Sequence, residues 1–136
     1  MPAVSAALAL VAGLTPNAGR VAVYVPTTVH AEAAPKELTR KNRNRVREAF
    51  AKWFGGYTEV RGSGGYWSEE KGRMIRERVY IVYAAADPAA VNATLPDILT
   101  LAKTIGRSMA QEVVAVEVNG TTYFVPPHVP AVAIAG

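Results

Sequence analysis

Three consecutive charged residues, Arg76, Glu77 and Arg78, open an otherwise apolar run, and Tyr66 and Trp67 stand shortly upstream in a glycine-rich stretch. A carboxylate at the edge of an apolar segment, flanked by guanidinium groups, is a candidate general base. Glu77, with Arg76 beside it, is therefore the alternative catalytic pair. Arg76 and Arg78 without the carboxylate form a candidate anion site. The same trio also fits a structural ion pair that pins the loop to the sheet, and this plainer reading is the expected one. Gln111 and Glu112 can join the cluster by hydrogen bonding.

A second candidate is the segment 36–52, which holds seven Lys or Arg against two Glu. That surplus of five exceeds the net charge of +4, so the rest of the chain, with eight basic and nine acidic residues, is slightly negative. Clustered Arg40, Lys41, Arg43, Arg45 and Arg47 suit contact with phosphates, where counterion release supplies affinity without sequence preference. Asn42 and Asn44 between them can donate to phosphate or base edges. A solvated helix face is the alternative.

Other chemistry has little support. There is no phosphate-binding GxxxxGK[ST], no Gly-x-Ser-x-Gly elbow and no HExxH. With no cysteine, and with His30 and His128 apart in proline-flanked or connecting segments, no metal site is expected and no cofactor is implied. The 136 residues, half of them hydrophobic, suit one folded domain.

The elements that must position these residues can be read in order. Residues 1–19 form an apolar N-terminal arm. It has the small apolar character of a signal peptide, but the first basic residue is Arg20, so an arm in a cytoplasmic protein is expected. The apolar run is too short for a membrane-spanning helix. Residues 20–125 form a single α+β domain and 126–136 an apolar, proline-marked tail. RVAVYV, residues 20–25, is a first strand. Val46, Ala49, Phe50 and Trp53 recur at helical spacing over about 36–54, with Gly55 and Gly56 as the stop.

Residues 57–61 alternate weakly as a strand, and Gly62 to Gly65 reads as a flexible bend, followed by a polar turn at 68–72. Residues 73–84 are the clearest strand. Asp87-Pro88 opens a short turn over 88–93. A second entry at Thr94 starts a helix to about residue 110, with Leu95, Ile98, Leu99, Ala102, Ile105 and Met109 buried. Residues 112–118 and 121–125 are strands joined by the Asn119-Gly120 hairpin signal.

This order predicts a ferredoxin-like βαββαβ antiparallel sheet with two helices on one face and an extra C-terminal hairpin strand. The series FGGYT, GGYW, RERVYIV and QEVVAVEV resembles a bacterial family of small α+β domains of unknown function. The matching residues are Gly56, Thr58, Gly65, Trp67, Arg76, Glu77, Gln111 and Glu112. The resemblance covers the central two thirds of the chain and implies a fold without an activity.

Two functions follow. The expected one is a non-enzymatic module, phage or mobile-element encoded, docking on nucleic acid, an acidic protein or a nucleoprotein complex through the basic helix. The alternative is a small-molecule-binding or enzymatic ferredoxin-like domain with a pocket around Glu77. The apolar ends favour a homo-oligomer or a place in a larger complex.

Overall fold

The computed structural model describes residues 17–30 and 32–128, together with Ala7, Leu10, Ala12 and Gly13. The expected N-terminal arm and C-terminal tail fall largely outside the described residues. The elements are β1 (Gly19–Pro26), β2 (Thr28–Val29), β3 (Glu32–Ala33), α1 (Lys36–Phe54), β4 (Thr58–Ser68), β5 (Arg73–Ala86), α2 (Pro88–Ser108), β6 (Val114–Val118) and β7 (Thr121–Val125). Five strands form one antiparallel sheet in the order β4-β5-β1-β6-β7, and β2 with β3 makes a separate miniature hairpin. This is the expected ferredoxin-like arrangement, with β7 as the added hairpin strand.

The central strand β1 carries Val21, Val23 and Val25 on one face, all fully buried. Each removes a branched side chain from water, worth about 1.5–3 kcal/mol. They sit opposite Ala84, Val82 and Tyr80 of β5, so the even-numbered residues of β5 share the helix-covered face. Val46 and Phe50 of α1, and Val91, Ile98, Ala102 and Ile105 of α2, complete the core. Gly19 permits the close passage of β1 past the start of α2. A Cβ there would stand 2.6 Å from the carbonyl oxygen of Ala86.

Helix α1 has the expected bounds, ending where Gly55 takes the left-handed conformation at φ 85°. Its first half is held by polar contacts. Asn42 is fully buried and donates to Ser108 Oγ at 3.0 Å.

Helix α2 differs from expectation, for the short turn and second entry are absent. One helix runs from Pro88 through Pro96, capped by Asp87, whose side chain accepts from Ala89 N at 3.0 Å. Thr94 begins no new helix. Its hydroxyl donates back to the carbonyls of Ala90 and Val91 at 2.9 and 3.1 Å. Burial of Val91 and Ile98 on either side of Pro96 offsets the backbone hydrogen bond that proline cannot make.

The second departure is β4. The segment Gly62 to Gly65 is no bend. The ladder with β5 continues without a break from Thr58 opposite Tyr83 to Ser68 opposite Arg73. β5 supplies the bulk that these glycines lack, with Val79 Cγ1 3.6 Å from a Cβ position at Gly62 and Met74 Sδ 3.3 Å from one at Gly65. The turn falls at residues 69–72, where the backbone N–H of Lys71 donates to Ser68 Oγ at 3.1 Å. β1 accompanies β5 only over Val79–Ala86. Residues 63–68 and 73–78 therefore extend beyond the end of β1 as a two-stranded arm.

Candidate functional site at the base of the arm

The arm is anchored where β1 gives way to β2. Thr27 Oγ1 donates to the backbone carbonyl of Arg78 at 2.7 Å, and Thr28 Oγ1 donates to Glu77 Oε2 at 2.7 Å. Gln111, just beyond α2, donates from Nε2 to the Thr28 carbonyl at 2.6 Å. Gln111, Thr28 and Glu77 thus form a chain that ties the end of α2 to the arm. Gln111 reaches the cluster through Thr28, whereas Glu112 is exposed.

Strand alternation divides the Tyr66, Trp67, Arg76, Glu77 and Arg78 group between two faces. Glu77 lies opposite Gly64, and Tyr66 opposite Ile75, so both belong to the face away from the helices. Arg76 opposite Gly65, Arg78 opposite Ser63, and Trp67 opposite Met74 belong to the other face. Trp67 is 58% exposed and Tyr66 49% exposed, and both sit on β4 rather than in a loop. A shallow depression of about 410 Å³ opens beside this group, lined by Arg61, Gly62, Ser63 and Arg78. Its wall is Arg78, the neighbour of Glu77, and not Glu77 itself.

The basic helix is arranged differently from the expected phosphate-binding stripe. Glu59, on the helix-facing side of β4, accepts from two arginines of α1. Arg43 donates from Nε and Nη2 at 3.2 and 2.7 Å, and Arg47 from Nε and Nη2 at 3.0 and 2.5 Å. The Arg43 guanidinium also stacks 3.8 Å from the Tyr80 ring centre, and Arg47 faces Tyr57 at 5.9 Å. Hydrogen bonds from Arg43, aided by Arg47, hold the Glu59 carboxyl below the usual glutamate range against the opposing effect of burial. The bond to Glu59 raises Arg43 in turn.

Arg40 pairs with Glu37, and Arg45 donates to Asn42 Oδ1 at 2.8 Å. Lys41 is exposed. Glu59, Thr28, Arg61 and Ser63 went unread in the sequence. The alternation of Glu59 and Arg61 along β4 was the signal available for two of them.

Among the described residues no group of three or more His, Asp or Glu could hold a metal. No helix among them is long and apolar enough to cross a membrane.

No family model and no curated protein matches the chain. Solved structures do match. A phage SAM lyase in complex with S-methyl-5'-thioadenosine is 15% identical, with a TM-score of 0.58 over 83% of this chain and 92% of that one. A phage SAM lyase in the apo state is 12% identical, with a TM-score of 0.56 over 86% of this chain and 96% of that one. At these identities the likeness establishes the α+β fold.

These neighbours correct the expected function. Both neighbours are SAM lyases, one of them holding S-methyl-5'-thioadenosine, which tells against the expected non-enzymatic module docking on an anionic partner. Ion pairing supplies a physical reason, since three of the five cations offered for that partner, Arg40, Arg43 and Arg47, already meet a carboxylate within the protein.

Proposed function

We propose that the chain is a small-molecule-binding enzyme of ferredoxin-like fold that acts on a sulfonium nucleoside of the SAM type. The observation carrying this reading is the near full-length match to a phage SAM lyase structure that holds S-methyl-5'-thioadenosine.

The arm has side chains suited to such a ligand. SAM joins a flat adenine, a sulfonium cation and an amino-acid chain ending in a carboxylate. An exposed indole offers a π face for adenine or for the sulfonium, and Trp67 is the exposed aromatic on the arginine-bearing face of the arm. Release of S-methyl-5'-thioadenosine breaks the bond from sulfur to the four-carbon chain. Sulfur keeps the electron pair and becomes a neutral thioether. The departing chain restores its octet by bonding its own carboxylate oxygen or by losing a proton. In this reading Glu77, fixed by Thr28, is a positioning residue that holds the arm.

Incubation of the purified chain with SAM tests the proposal. Mass spectrometry is expected to show S-methyl-5'-thioadenosine accumulating faster than in a protein-free control. Accumulation at the control rate, together with no rise in melting temperature with either nucleoside, would overturn it.

A further inference from the structure

We infer that Arg61, Ser63 and Arg78 form an oxyanion subsite that takes the carboxylate of the ligand's amino-acid portion. This deepens the nucleoside reading and rests on it for the identity of the ligand.

The three side chains belong to one face of the hairpin. Ser63 is the direct cross-strand partner of Arg78, and Arg61 precedes Ser63 by two residues, which returns it to the same side of β4. They line the 410 Å³ depression together with Gly62.

Their charge is uncompensated. Arg20 pairs with Glu117, Arg40 with Glu37, and Arg43 and Arg47 with Glu59, yet among the described residues neither Arg61 nor Arg78 has a carboxylate partner. The Ser63 hydroxyl is likewise without a partner among them. The Thr27 hydroxyl fixes the backbone of Arg78, so one guanidinium is carried on a strand held from both sides. Two guanidinium groups and a hydroxyl, set on adjacent strands around a concave surface, suit a carboxylate or a phosphate. Either anion takes paired N–H donors from arginine, and a hydroxyl adds a third donor.

SAM and S-methyl-5'-thioadenosine differ by the amino-acid portion, so their comparison isolates the subsite. Isothermal titration of both into wild type and into the Arg61→Gln/Arg78→Gln double variant is the test. SAM is expected to weaken about tenfold or more in the double variant, as befits lost charge-assisted hydrogen bonds. S-methyl-5'-thioadenosine should bind both proteins alike, and Arg61→Lys/Arg78→Lys should recover part of the SAM affinity. Equal weakening of both nucleosides, or none for SAM, would overturn the subsite.

Should wild type bind neither nucleoside, the nucleoside reading fails, and inorganic phosphate then decides the subsite. A phosphate-dependent rise in melting temperature that the double variant loses would sustain it. A wild type indifferent to phosphate would overturn it.

Discussion

Helix α1 and the β4–β5 arm both carry arginines, but the two sets are in opposite electrostatic states. On α1, Arg43 and Arg47 converge on the one carboxylate of Glu59, and the stacking of Arg43 on Tyr80 adds to their fixation. On the arm and at its base, Arg61, Arg76 and Arg78 have no carboxylate partner among the described residues. The helix has the higher density of charge, yet three of its four arginines meet a carboxylate, whereas Arg61, Arg76 and Arg78 remain available. Density reflects sequence, whereas availability depends on which acidic residue the fold brings alongside. Glu59 is the residue that decides it here, at a side-chain exposure of 15%.

The comparison predicts unequal responses to substitution. Glu59→Ala should have the largest effect. It strands two partly buried guanidinium groups, a loss of about 2–4 kcal/mol measurable by urea unfolding. A loss below about 0.5 kcal/mol would mean that the pairs behave as ordinary surface contacts.

The same carboxylate predicts a pH dependence. Its folded pKa lies below its unfolded one, so its contribution is present above the usual glutamate value of about 4.3 and is lost as pH falls through the lower folded value. Unfolding experiments across this range should show a steeper acid loss in wild type than in Glu59→Gln.

Thr28→Val should come next. Removing its hydrogen bond to Glu77 costs about 1 kcal/mol and should raise hydrogen exchange in residues 73–78 before the rest of the sheet. The smallest effect on stability is expected for Arg61→Gln/Arg78→Gln, within about 0.5 kcal/mol, because these side chains are exposed and have no ion-pair partner among the described residues. A large destabilisation there would end the contrast with α1.

The parts of this fold that depend on local chemistry could be read from the sequence. Gly55 stops α1 where expected. Asn119 and Gly120 take positive φ, 50° and 85°, as a tight hairpin requires. The order of strands and helices led to the correct sheet.

The parts that depend on partners distant in sequence were not legible. The glycines of β4 carry no strand propensity of their own, and they extend because β5 pairs with them over its full length. Pro96 reads locally as a helix start, yet the apolar face from Val91 to Ile105 holds one helix through it. The candidate site suffered most. Alternation alone separates Glu77 from Arg76 and Arg78, but which of them faces the helices is settled only by the pairing of β5 with β1. Arg43 and Arg47 read as free cations because nothing local announces that Glu59 faces them. Ser63 lies within the segment that reads locally as a bend, and its place opposite Arg78 follows only from the ladder with β5.

Trp67 is placed to report a small ligand binding on the arm. The chain has two tryptophans, Trp53 within α1 and Trp67 on the arm. In a Trp53→Phe variant the emission therefore comes from Trp67, and SAM can be titrated while that emission is followed. A saturable change in Trp67 fluorescence is expected, with its midpoint moved about tenfold or more to higher SAM concentration in Arg61→Gln/Arg78→Gln. An emission unaffected by SAM, in a protein that calorimetry shows to bind it, would place the ligand away from the arm.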